Sequence, residues 1–330
     1  MRSSVWREAA CCSARPGSSA PRMRSDWAGA RNAWMGCRTS CRAWASRRLR
    51  FRLCHLPIRT ITLESYCFVD GDDMDSQRWA ENLDENGFVH CRGALTGDLV
   101  SSIRAHAKRC IAAVNRTGVH VVARPTGADA LSFSTLVTHP ALVRTARAAL
   151  STDVKLSLLE VVSTGREDGV LAASDKSIAL GYDASTGVGV HRDGAWIERD
   201  LAMASAPRLT LKAAVWLSNV AKGGGNLRLF PRTQALGRSV VETLDPATLD
   251  IFDVEAEAGD VTFFDRRTLH TRTWNHSDHE RLAVFVEYSV TWLCRKQPFR
   301  VSDLLANHAN DALLCNLLME PADPWSHYWP

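Results

Sequence analysis

Four positions in this sequence combine into a pattern with chemical consequences. His191 and Asp193 stand two apart in GVGVHRDGAW, His270 closes the run GDVTFFDRRTLH, and Arg281 opens RLAVFVEY eleven residues later. Two imidazoles and one carboxylate on one face of an octahedral iron form the arrangement of non-haem Fe(II) oxygenases. That face leaves three positions for other ligands. Two can chelate a keto acid such as 2-oxoglutarate, and the third can take O2. Such a cosubstrate carries a distal carboxylate and calls for a buried cation, best supplied by the planar fork of an arginine. Arg281, on the strand after His270, is placed for that role.

Taken alone, His-x-Asp carries almost no information, because His276-Ser277-Asp278 repeats the spacing. Context separates the two. The first pair follows the strand-like VGV and precedes Gly194, so both side chains can project from the rim of a sheet. The second lies in WNHSDHE, polar throughout, with no later histidine closing a strand. It reads as a solvated turn.

The elements that must position these residues follow from periodicity. A short helix is expected over Ser76 to Asn82, then a turn at Glu85-Asn86-Gly87 and the strand FVHCRG. A longer helix from Asp98 to Val114, capped by Thr96 or Asp98, carries Leu99, Val100, Ile103 and Ile111 on its apolar face. Another helix spans Pro140 to Leu150. Strands are then expected over Val154 to Val162, Gly187 to Val190, Leu209 to Val220 and Leu227 to Phe230. Three more cover Ile251 to Val254, Val261 to Phe264 and Arg281 to Trp292. Gly223 to Asn226 makes a tight turn, and a last helix runs from Ser302 to Leu318. Helices first and then seven or more strands exclude a βαβ plan. They point to a mainly β protein with flanking helices and a jelly-roll or barrel core.

At this point the chain resembles a known family. From about Glu85 to Trp292 it is similar to the phytanoyl-CoA dioxygenase-like group of Fe(II)/2-oxoglutarate-dependent oxygenases. The matching pieces are ENGFVHCRGAL, HRDG, AVWLSNVAKGGGNLRLFPRT and AGDVTFFDRRTLHTRTWNHSDHERLAVFVEYS, in the family's order. The resemblance implies a double-stranded β-helix (cupin-like) core. It puts His191, Asp193 and His270 on the iron, Arg281 on the 2-oxoglutarate carboxylate and Trp216 near the cosubstrate. One departure stands out. The family often has a small hydroxyl residue two positions after the distal histidine, and here that position is Arg272. Thr271 or Thr273 could take its place. Halogenating members lack the iron-binding carboxylate, so the presence of Asp193 implies hydroxylation of a small organic substrate, with ascorbate as a supporting reductant.

Other residues near the pattern carry weaker signals. Tyr182, nine residues before His191, faces either the iron and cosubstrate or a loop of its own. Trp196, Arg199 and Arg208 lie where such enzymes build substrate contacts, or on a solvated lid. Strand alternation lets at most one of Arg266 and Arg267 point inward. His90, His106, His120, His139 and His308 have no partner pattern and read as structural, and Asn226 and Pro231 as turn residues. Two other functions stay open: a β-helix scaffold that binds without turnover, and a cupin-like metalloenzyme that uses no keto acid. The intact set of four speaks against the first. Cupin sites are richer in histidine and need no arginine at this offset.

Charge divides the chain. Residues 1–73 carry thirteen Arg, no Lys and six acidic residues, a balance of +7, against −3 for residues 74–330. The basic character thus belongs to a leader, and the globular part gives no reason to expect nucleic-acid binding. The leader also holds six of the ten Cys (Cys11, Cys12, Cys37, Cys41, Cys54, Cys67) and four of the eleven Trp. It reads as an organelle transit peptide, as a Cys module of unfamiliar spacing, or as upstream sequence preceding a true start at Met74. The last is favoured, because a recognisable domain opening follows Met74 at once. No run of 18 apolar residues exists, so a membrane span is not expected. The remaining Cys91, Cys110, Cys294 and Cys315 are scattered, as suits free thiols in a reducing, cytoplasmic setting.

Overall fold

Period-two alternation in the longest strand explains how the molecule is layered. In RLAVFVEYSV, the side chains of Leu282, Val284, Val286, Tyr288 and Val290 pack into a large outer core. Arg281, Ala283, Phe285 and Glu287 face the other way. The computed structural model describes residues 68–70, 76–114, 118–150, 153–167, 180–183, 186–299 and 311–318.

Ten strands are present among them: β1 (Phe68–Asp70), β2 (Phe88–Arg92), β3 (His120–Ala123), β4 (Val154–Thr164), β5 (Thr210–Trp216), β6 (Leu227–Leu229), β7 (Phe252–Asp253), β8 (Val261–Asp265), β9 (His270–Arg272) and β10 (Arg281–Val290). Seven form one sheet in the order β1-β2-β8-β5-β10-β4-β3, and three form a second in the order β7-β6-β9. All pairings are antiparallel except β1 with β2. This is the expected jelly-roll. Phe88, Ala214, Trp216, Phe264 and Ala283 of the large sheet pack against Leu227, Leu229 and Phe252 of the small one and seal the space between them.

Helices cover the outer face of the large sheet. They are α1 (Ser76–Asn86), α2 (Gly97–Ala113), the short α3 (Gly127–Leu131) and α4 (Ser134–Val137), and α5 (Pro140–Leu150). Trp79, Leu83, Val100, Ile103, Leu142 and Ala146 bury their side chains there against Val215, Phe263 and Val284. A Phe- or Leu-sized side chain in such a core contributes about 1.5–3 kcal/mol. Helix α1 runs a turn longer than expected and stops at Gly87, whose φ of +84° suits a glycine just past a helix end. Helix α2 begins after Thr96, which sits at the N-cap without a side-chain hydrogen bond. No described helix is long and apolar enough to cross a membrane.

Several expected elements shift. Gly187 to Val190 is not a strand: Gly187 and Gly189 have φ of +70° and +129°, which break regular pairing, and only single bridges remain at Val190 and His191. The strand expected to end at Val220 stops at Trp216, and the one expected to end at Trp292 stops at Val290. Strands β1, β3 and β9 are additions, and β1 lies within the stretch read as leader. Residues 1–67 and 300–310, including His308 and the start of the last expected helix, lie outside the described residues. That helix is seen over Ala312–Leu318.

Candidate metal centre

The two halves of the centre come from a glycine-rich approach and a strand end. Gly189 is obligatory, because a Cβ there would stand 1.7 Å from the Gly181 carbonyl oxygen. The chain then bridges His191 to His270, each backbone N–H donating to the other's carbonyl at 3.0 Å. The two imidazoles end with ring centroids 4.4 Å apart. After Asp193 the chain turns through Gly194 into helix α6 (Ala195–Asp200). Arg266, 1% exposed, donates to the carbonyls of Asp193, Gly194 and Pro207 and pins that turn.

His191, Asp193 and His270 each offer one ligand atom, and these atoms lie within 4.8 Å of one another. His191 Nδ1 lies 2.7 Å from the Gly189 carbonyl and His270 Nδ1 2.9 Å from that of Thr268. In each contact Nδ1–H donates to a backbone oxygen and the unprotonated Nε2 keeps its lone pair free for a metal. His270 Nε2 is 3.7 Å from Asp193 Oδ2. Burial pushes His191 below its ordinary range, and burial with the nearby His191 takes His270 to about 3, so both are neutral near pH 7. Burial works against the Asp193 carboxylate, but the charge of Lys212 opposes it and the group stays ionised. Two neutral imidazoles and an ionised carboxylate are the protonation states a divalent metal requires. The donor set therefore fits iron.

A cavity of about 540 Å³ opens on this centre. Its walls include His191, His270, Lys212, Tyr182, Phe264, Phe285, Arg272 and Arg281. Arg281 is 3% exposed, its Nε has no hydrogen-bond partner, and no carboxylate pairs with it among the described residues. Its guanidinium carbon lies 5.3 Å above the Trp216 ring and 5.9 Å from that of Phe285. Burial and the like charge of Arg272 lower it to about 9, which leaves it a cation at neutral pH. A buried guanidinium with no carboxylate bonded to it is costly, and a carboxylate ligand removes that cost.

Trp216 itself is fully buried and does not line the cavity; it carries Arg281 on its face and donates from Nε1 to Thr262 Oγ1 at 2.9 Å. Thr262 also meets His90 Nδ1, and His90 Nε2 stands 3.3 Å from Asp260. Tyr182 is 52% exposed at the cavity rim, its ring 4.7 Å from that of His191. Arg272 faces the cavity too, but both its terminal nitrogens bind Glu167 at 2.7 Å. Thr271 has its hydroxyl tied to the Gly189 N–H and the Arg272 carbonyl. The hydroxyl of Thr273 is buried without a partner, yet Thr273 is not among the cavity walls.

Other expectations sort as follows. Trp196 and Arg199 line a separate cavity of about 480 Å³ on the far side of His191. Arg208 does not reach out to ligand: it binds Asp265 at 2.6 Å, Asp84 at 2.8 Å and the carbonyls of Ala149 and Leu83. Arg267 folds back onto Asp265, and only Arg266 reaches the centre. Asn226 holds its turn through Gly223 and Val254. The second His-x-Asp pair is a surface turn, with Asp278 81% exposed and paired to Arg166. His120, read as structural, stands instead in the cavity wall beside Arg272 and Arg281. Lys212 escaped the sequence reading altogether, although counting back from Trp216 by twos places it on the same strand face.

Comparisons with known proteins agree with this architecture. The nogalamycin-biosynthesis epimerase SnoN, solved with Fe3+, alpha ketoglutarate and nogalamycin RO, is 20% identical, with a TM-score of 0.50 over 66% of this chain and 84% of the other. The alpha ketoglutarate-dependent carbocyclase SnoK is 17% identical, with a TM-score of 0.50 over 73% and 93%. AviO1 from Streptomyces viridochromogenes Tue57 is 18% identical, with a TM-score of 0.50 over 68% and 99%. These likenesses establish the fold. A search of curated proteins finds no significant match. Residues 83–283 match the family described as phytanoyl-CoA dioxygenase (PhyH), and the chain belongs to that family.

Proposed function

We propose that the protein is an Fe(II)- and 2-oxoglutarate-dependent oxygenase that hydroxylates a C–H bond of a small organic substrate. The observation that carries this reading is a three-ligand centre sharing one cavity with a buried, carboxylate-free Arg281. The iron- and ketoglutarate-bound epimerase of the same fold adds support. The reaction balances as substrate C–H, O2 and 2-oxoglutarate going to substrate C–OH, succinate and CO2. Iron on the triad would supply the activation of O2 coupled to loss of CO2 from the keto acid.

The chain's own residues would do the rest. His191, Asp193 and His270 would hold the metal on one face and leave the other face toward the cavity. The backbone carbonyls at Gly189 and Thr268 fix the orientation of both rings, and Arg266 fixes the turn that presents Asp193. Arg281, braced on Trp216, would grip the distal carboxylate of 2-oxoglutarate and set its distance from the metal. Phe264 and Phe285 wall the space between with apolar surface. Tyr182 at the rim is placed to meet the substrate.

The test is direct. With Fe(II), ascorbate and 2-oxoglutarate under air, the full chain should form succinate, faster when the correct substrate is present. His191→Ala or Asp193→Ala should abolish it. Unimpaired turnover in either variant would overturn the proposal.

A further inference from the structure

Lys212 is a charged side chain of the cavity wall whose ion-pair partner is a member of the triad. It lies on β5, where its register partner on β10 is Glu287, and it is 8% exposed. Its ammonium forms an ion pair with Asp193 Oδ2, between the rings of Phe264 and Phe285 at 5.8 and 5.9 Å. That oxygen is also the one directed at His270 Nε2. The ammonium and a metal on the triad would thus both draw on the Asp193 carboxylate.

The other charges around the cavity are matched within the protein. Arg272 is held by Glu167 at 2.7 Å, Arg124 by Glu160 at 2.7 Å, and Lys296 by Glu287 at 2.6 Å. Three groups are left: Asp193, Arg281 and Lys212. A divalent metal and the 2-oxoglutarate dianion add charges that cancel, Asp193 balances one of the two cations, and one positive charge remains. A metal that draws on Asp193 leaves Lys212, that carboxylate's ion-pair partner in the cavity wall, short of negative charge. A compact ammonium that is only 8% exposed requires a full anionic partner.

We propose that Lys212 is a second carboxylate-binding cation of this site, beside Arg281, and that it takes an anionic group of a bound ligand next to the metal. The inference rests on the function proposed above. The carboxylate has two sources, the C1 end of 2-oxoglutarate or an acidic primary substrate.

The experiment uses the full chain loaded with Mn(II) without O2, and compares wild type with Lys212→Met and Lys212→Arg by calorimetry. The first probes are 2-oxoglutarate, 2-oxopentanoate (no C5 carboxylate) and 4-oxobutanoate (no C1 carboxylate). The second set, added over saturating 2-oxoglutarate, pairs octanoate with octanol and phenylacetate with phenylethanol. If C1 is the source, Lys212→Met weakens 2-oxoglutarate and 2-oxopentanoate by about ten- to a hundredfold and spares 4-oxobutanoate. If the substrate is the source, keto-acid binding is unchanged. Wild type then prefers each acid to its alcohol, and Lys212→Met loses that preference while Lys212→Arg keeps part of it.

Equal keto-acid binding in both proteins, together with no acid preference in wild type, overturns the proposal. Should Lys212→Met fail to fold, the wild-type acid preference and the Lys212→Arg response decide alone. Mn(II) binding by Lys212→Met at wild-type strength or tighter shows that the triad is intact. A wild-type chain that binds neither Mn(II) nor 2-oxoglutarate would sink the proposed function instead, which is a separate outcome.

Discussion

The same three-residue spacing occurs twice in this chain with opposite fates. At His191-Arg192-Asp193 the backbone is fixed by a glycine that nothing else can replace, a bridge to His270 and the Arg266 clamp. At His276-Ser277-Asp278 the backbone is a turn organised by Asn275, and the aspartate stands in solvent. The histidine and aspartate are the same in the two places; convergence with a second histidine is not. Two of the cavity arginines repeat the lesson. Arg272 is satisfied by Glu167 and is structural, whereas Arg281, without a carboxylate, is open to a ligand.

Substitutions can break or sharpen these contrasts. The largest effect is expected for His191→Ala or Asp193→Ala, which should lower divalent-metal affinity by a hundredfold or more in calorimetry, on the order seen when a metal site loses a ligand or its orienting partner. His276→Ala should leave affinity unchanged. Among the arginines, Glu167→Gln should cost about 3–5 kcal/mol in denaturant unfolding, because it strands Arg272 as a buried unpaired charge. Arg281→Ala should instead raise the 2-oxoglutarate concentration for half-saturation by about ten- to a hundredfold with metal affinity intact. If both changes act on stability alone, the distinction between the arginines fails. Gly189→Ala should cost about 2 kcal/mol or more, since φ is +129° and the Gly181 oxygen blocks the new Cβ.

A pH effect is smaller. Burial, with the charges of Arg272 and Arg281, lowers His120 to about 4. On acidification the unfolded chain takes up this proton first, so stability is level above about pH 6.5 and falls between 6.5 and 4. The slope from this one group is at most about 1.4 kcal/mol per pH unit. His120→Gln should flatten it in unfolding curves taken across that range. Smallest of all, Asp278→Ala should change stability by no more than about 0.5 kcal/mol.

The long strands were legible because alternation shows plainly in runs such as RLAVFVEYSV. Strands β3 and β9 were not, for they are three or four residues long and are held by neighbours remote in sequence rather than by their own pattern. The run before His191 misled because VGV looks extended, while its glycines adopt positive φ. At the site, histidines and arginine announced themselves by type and order. Lys212 and His120 did not, since a lone cation or imidazole on a strand signals nothing until the facing residues are known. Arg208 misled for the converse reason: its carboxylate partner Asp265 comes 57 residues later.

The pairing of β10 with β4 has a consequence for how the protein is made. Ser163 and Glu280, beside the start of that ladder, are 117 residues apart. During synthesis His191 and Asp193 leave the ribosome before His270, and Arg281 follows, so the nascent chain carries half a centre for the 77 residues from Asp193 to His270. Closing so distant a pairing is slow. The three ligands come together only once His270 has emerged and β9 has paired with β6.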